Sequence, residues 1–171
     1  MDMKKLLTLV FLVVACSLQA LQAQKSPLLP SKPANKAAFP LGSKFVIKLV
    51  PVDSVNFNYS VLSIEPFKKE VVWDSDELFE EGGADSTVVF YFGVGTIGDK
   101  KATFLLMKNY SKIPLLYTSE IKRQKDGQFE PTSNIGTLPK IRVWEMWPYP
   151  ISYIGLSEFR KDDRYDHNRT N

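Results

Sequence analysis

The densest chemistry in this chain is the stretch RVWEMWPYPISY, residues 142–153, where Trp144, Trp147 and Tyr149 surround a single carboxylate, Glu145. Flat aromatic faces beside one acid suit two ligand classes, a sugar ring or a proline-rich or extended peptide. Trp144, Glu145, Trp147 and Tyr149 are therefore the candidate binding residues. A purely structural reading of the same residues is that they plug the end of a core, since most tryptophans are substantially buried.

Other catalytic chemistries are poorly supplied. Histidine occurs once, as His167 near the C-terminus, and cysteine once, as Cys16. Ser-His and Cys-His nucleophile pairs therefore have no base or thiol in the body of the chain, and an imidazole metal site has no ligands. Asp74, Asp76 and Glu77, in an acidic run that continues to Asp85, are weak candidates for a hard cation. They lack the glycine and the bidentate glutamate of an EF-hand loop, and the plain reading is a solvated loop. GVGTIG, Gly93 to Gly98, has dinucleotide-loop spacing, but DKKATFLLM follows it where a helix would have to open. It reads as a glycine-rich hairpin with Gly98-Asp99 in the turn. No cofactor is implied. A hydrolase built on two carboxylates stays open as a class, with no pair identifiable.

Short triplets add modification readings. Asn58-Tyr59-Ser60, Asn109-Tyr110-Ser111 and Asn168-Arg169-Thr170 match the N-glycosylation pattern and are read as accidental. Asp53-Ser54-Val55 and Asp85-Ser86-Thr87 resemble short envelope O-glycosylation sites.

The elements that must position the aromatic stretch are strands. SKFVIKLV, FNYSVLSIE, FKKEVVW, TVVFYFGV, ATFLLMKN, PLLYTSEIKR, KIRVWEM and ISYIGLSEF are β-branched and aromatic runs separated by Pro, Gly, Asn and Asp clusters. VVFYF and TFLLM are apolar at consecutive positions, which predicts strands covered on both sides. SDELFEEGG, from Ser75, could form one or two helical turns. The spacing predicts an all-β domain, an immunoglobulin-like antiparallel β-sandwich of 7–9 strands, with an antiparallel β-barrel as the alternative.

Within KIRVWEM the alternation sets Ile141, Val143 and Glu145 against Arg142, Trp144 and Met146. Burying the first face buries a carboxylate; burying the second buries Arg142 and exposes two apolar residues. The pattern is expected to break near Trp144 or Glu145, most simply by a bulge, with Arg142 or Arg160 the cations that would pair with Glu145. Pro148 and Pro150 remove ladder donors, so WPYP is read as a jog at a sheet edge or between sheets.

The ends set the compartment. Lys4 and Lys5 precede the apolar run Leu6 to Ala15, which is too short for a bilayer span of roughly twenty residues and reads as an export signal. Cleavage after Ala23 gives a signal peptide of residues 1–23. The alternative is a lipobox ending at Cys16, with signal residues 1–15 and a lipidated Cys16. Residues 24–40, with four prolines and three lysines, are taken as a linker, 41–160 as the β domain and 161–171 as a disordered charged tail. No disulfide is available, so the core must hold the fold. A net charge of +3 is too small to imply nucleic acid or an anionic membrane as partner.

LLMKNYSKIPLLYTSEI (Leu105 to Ile121), PTSNIG (Pro131 to Gly136) and EMWPYPISYIGLSEFR (Glu145 to Arg160) resemble segments of uncharacterised exported bacterial immunoglobulin-like β-sandwich proteins. The resemblance implies that fold and an envelope or periplasmic location, and carries no activity and no site residues. The expected protein is thus an exported, non-catalytic module that binds an envelope protein or peptide. A glycan-binding module using the aromatic platform is the first alternative and a small carboxylate hydrolase the second.

Overall fold

The structure, a computed structural model, describes residues 32–74 and 77–165. The expected signal peptide, residues 1–23 or 1–15, and Cys16, Asp76, His167 and the third Asn triplet lie outside the described residues. The strands are β1 Lys36–Pro40, β2 Ser43–Pro51, β3 Asn56–Pro66, β4 Thr87–Ile97, β5 Lys100–Asn109, β6 Leu115–Lys122, β7 Glu130–Thr132, β8 Arg142–Trp147 and β9 Tyr153–Lys161. All of their pairings are antiparallel and form one sheet in the order β7-β6-β9-β3-β2-β4-β5-β8, curled into a half-barrel, with β1 on β9. The expected all-β antiparallel class is what the chain adopts.

The inner face is the main core. Phe45, Ile47 and Leu49 alternate inward along β2, as their period-2 spacing requires. Phe45 stacks on Phe39 of β1, with centroids 3.7 Å apart, and on Phe90 of β4 at 4.7 Å. This phenylalanine spine joins three strands. Two irregularities help the sheet curl: a register shift at Val46/Ile47 against β3, and one between Leu116 and Thr118 where β9 carries the extra residue Glu158 at φ 54°.

β4 and β5 carry a second core on their outer face. Phe67, Val71, Phe79, Tyr91, Ala102, Phe104 and Leu106 cluster there, while Phe90, Phe92, Leu105 and Met107 point inward. The consecutive apolar residues of VVFYF and TFLLM are therefore covered on both sides, as expected. The cover is supplied by Phe67 and Val71 on one side and by Leu78 and Phe79 on the other. FKKEVVW, which carries the first pair, is not a strand of the sheet; Val71 alone forms an isolated parallel bridge, to Gly95. A Cβ on Gly95 would lie 2.5 Å from the Val71 carbonyl oxygen, so the close approach of this strap depends on a missing side chain.

Three further expectations differ from the fold. The helical turns anticipated around residues 75–83 are turns and bends over 77–83, because Leu78 and Phe79 insert into the outer cluster and their backbone is held open by tyrosines. Tyr91 donates to the Leu78 carbonyl at 2.5 Å and Tyr110 to that of Glu80 at 2.6 Å. The linker ends earlier than expected: Lys36–Pro40 is β1, anchored by Phe39, and Ala34 bridges Tyr59. The tail begins later, since β9 includes Lys161 and the buried Asp162 accepts from Arg164 before a short 3-10 turn, Asp163–Tyr165. The hairpin expected at GVGTIG does form, with Ile97 opposite Lys100 and Gly98 at φ 57°.

Gly95→Ala is expected to lower stability by about 1–3 kcal/mol, the range for overpacking, in urea denaturation. An unchanged midpoint would show that the strap can move aside without loss.

Candidate functional site

β8 is an edge strand, held to β5 in unbroken register from Lys108↔Arg142 to Thr103↔Trp147. The expected bulge is absent. The chain instead takes the arrangement that buries Glu145, which is 8% exposed, next to Trp147 at 5%. Trp144 lies on the opposite face and is 39% exposed. The four candidate residues are thus divided: Glu145 and Trp147 face the core, Trp144 faces out, and Tyr149 follows in the WPYP jog. That jog leaves the edge as expected and leads to β9 on the far side of the sheet.

A buried carboxylate needs a donor, and the donor comes from another strand. Tyr117 of β6 is itself buried, and its hydroxyl donates to Glu145 Oε1 at 2.5 Å; Met107 Sδ lies 3.0 Å from the same hydroxyl. The expected cations do not serve: Arg142 Nη1 donates to the Trp73 carbonyl on the other face, and Arg160 is exposed on β9. Burial pushes the Glu145 carboxyl up to about 7, with the Tyr117 bond acting in the opposite direction. Burial, followed by the field of Glu145, holds the Tyr117 hydroxyl well above its usual range, so it remains a donor. Oε2 of Glu145 is buried and has no hydrogen-bond partner among the described residues.

Glu145 and Tyr117 meet across the place where the half-barrel stays open. No backbone ladder joins β8 to β7 or β6. Ahead of β8, backbone bonds tie Thr137 to Leu115 of β6 and Lys140 to Asn109 of β5; along β8 itself side chains bridge the seam, Tyr117 to Glu145 and Trp147 Nε1 donating to Thr132 Oγ1 at 3.1 Å. Asn134 secures the opposite bank by donating to the Tyr117 carbonyl at 2.8 Å and to Ser119 Oγ at 3.1 Å. Between the banks runs a groove of about 460 Å³ lined by Thr132 to Ile135 and by Trp144 to Tyr149. All four candidate residues line it. Tyr117, Thr132 and Asn134 were missed in the sequence, because each is an ordinary strand or loop residue until the fold brings it to the seam.

The outward pair is less platform-like. Trp144 packs on Trp73 with ring centroids 5.4 Å apart and planes tilted by 53°, and Arg123 sits 4.3 Å over the Tyr149 ring. Of the weak metal candidates, Asp74 and Glu77 are described; among the described residues no three His, Cys, Asp or Glu side chains are placed to hold a metal ion. Asn109 is buried with its amide donated to the Ile113 carbonyl, which removes that triplet from the surface. Ser54 lies in an exposed turn whose Asp53 caps the amides of Val55 and Asn56, and Ser86 has φ 62° just before β4. No helix among the described residues is long and apolar enough to cross a membrane. Comparison of this chain with protein-family models, with curated proteins and with solved structures finds no match.

The pH dependence of Glu145 has a definite sign. Its folded carboxyl binds a proton more tightly than the unfolded one, so its contribution is full below about pH 4.5 and is lost as pH rises to about 7. The loss is about 3 kcal/mol, from the size of the shift. Urea denaturation at pH 4.5 and pH 8 is expected to show this decline in the wild type and a much flatter profile in Glu145→Gln. Equal slopes in the two proteins would mean that Glu145 titrates normally.

Proposed function

We propose that this protein is an exported, non-catalytic binding module of the cell envelope that captures an extended peptide by adding it as a strand to β8. The observation that carries the reading is the open seam: an edge strand with no backbone partner on its outer side among the described residues, beside a groove long enough to be lined by six consecutive residues, Trp144 to Tyr149. Such an edge presents unpaired N–H and C=O groups at regular spacing, and an added strand satisfies them while side chains on alternate faces supply selectivity. Trp144 and Met146 would flank the bound strand on the outer side, Glu145 and Trp147 on the inner side. Export is supported by the charged and apolar N-terminal segment, Lys4 to Ala15.

The alternatives have less support. A sugar ring stacks on a flat aromatic face, whereas Trp73 and Trp144 are tilted against each other. A two-carboxylate hydrolase needs a second acid across the substrate, and Glu145 is the one acid among the described residues lining the groove.

A nonapeptide selected from a random library on the purified domain is expected to slow hydrogen exchange at alternate amides of residues 142–147, leaving the amides paired to β5 unchanged. Trp144→Ala, which removes a half-exposed side chain, is expected to weaken that peptide about tenfold. Protection confined to any other strand would refute strand addition at β8.

A further inference from the structure

Resting on the strand-addition reading, we infer that the seam selects an extended peptide carrying a lysine or arginine side chain opposite Glu145. The cation would take Oε2, the carboxylate oxygen with no hydrogen-bond partner among the described residues, once the side chains that close it off from solvent give way. The argument starts from the geometry of antiparallel pairs. A residue placed directly opposite another points to the same face, with Cβ atoms about 4.5–5.5 Å apart. A strand added to β8 therefore sets one side chain beside Glu145 on the inner face, its neighbours two positions away beside Val143 and Trp147, and the intervening ones beside Trp144 and Met146.

Of these neighbours only Glu145 offers charge. Its Oε1 is taken by Tyr117, and its Oε2 is buried without a hydrogen-bond partner among the described residues. The groups around it are otherwise uncharged. Tyr117 on β6 contacts the carboxylate, Met107 on β5 lies against the Tyr117 hydroxyl, and Thr132, Ser133 and Asn134 form the far bank. Arg142 is turned to the opposite face toward Trp73, and Arg123 is stacked on Tyr149. A buried carboxylate in uncharged surroundings is costly alone and strongly attractive to a cation that brings its own hydrogen-bond donors. An anionic or apolar side chain at that position would leave it unpaired. The resulting recognition pattern is apolar, any, basic, any, apolar.

The same geometry gives the interaction a proton switch. Protonation of Glu145, which its raised affinity for protons brings close to neutrality, removes the charge that the cation reads. Selectivity for a basic residue is therefore expected to strengthen with pH between about 5.5 and 8.

The test compares two capped nonapeptides, an alternating threonine–valine strand with either lysine or its uncharged isostere norleucine at the centre. Affinity is followed by tryptophan fluorescence, and placement by hydrogen exchange at residues 142–147. At pH 8 the lysine peptide is expected to bind at least about tenfold tighter, with the ratio falling toward one at pH 5.5 and in Glu145→Gln. Equal binding of the two peptides at pH 8, with β8 amides protected, would overturn the basic-residue inference and leave strand addition standing. Failure of both peptides to protect β8 would overturn both. The wild-type peptide and pH comparisons decide the matter even if Glu145→Gln folds poorly.

Discussion

The Tyr117 hydroxyl bonded to Glu145 spans the gap between β6 and β8, which no strand ladder closes among the described residues. A curled antiparallel sheet that stops short of closure has two edges facing each other, and something must hold their separation. Here β7 and β8 are those edges, and the holding groups are side chains: Tyr117 to Glu145, and Trp147 to Thr132. Neither is a ladder, and the outer edge of β8 has no backbone partner among the described residues. A closed barrel would have removed the edge, and a strongly charged or very short edge strand would have protected it.

The remainder of the fold makes that gap affordable in stability. With the single cysteine at position 16, the described domain has no disulfide and is held by its core and its hydrogen bonds. The inner phenylalanine spine ties β1, β2 and β4 together, and the outer cluster under Phe67, Val71 and Phe79 clamps β4 to β5 from the other side. β8 hangs from β5, so the rigidity of the doubly covered pair passes directly to the groove bank. The opposite bank is fixed by Asn134, which binds the backbone of β6 at Tyr117. A preformed groove loses less entropy on binding than one that must be assembled.

Glu145 also illustrates how burial and hydrogen bonding compete in one side chain. Desolvation favours the protonated carboxyl, and the Tyr117 donor favours the carboxylate; desolvation is the larger effect. The outcome is a carboxyl that titrates near neutrality within an uncharged wall. Its second oxygen has no hydrogen-bond partner among the described residues, and that unmet capacity is the most specific chemical feature of the seam.

Much of this was legible in the residues themselves. Alternation in SKFVIKLV and the two-sided apolar runs of VVFYF and TFLLM determined an all-β fold with buried central strands, because pleated geometry sends successive side chains to opposite faces. Gly98-Asp99 determined a hairpin, and Pro148 and Pro150 determined that the chain leaves the sheet after Trp147. The candidate residues Trp144, Glu145, Trp147 and Tyr149 all line one groove, although the strand divides them between its two faces. Tertiary structure decided the rest. Only the fold could show that Val71 is a strap instead of a strand, since its local pattern is the same in either role. Only the curl of the sheet could place Tyr117, 28 residues away, against Glu145. Local periodicity specifies which side of a strand is buried, but the partner across a seam is fixed by strand order and curvature, which are properties of the whole chain.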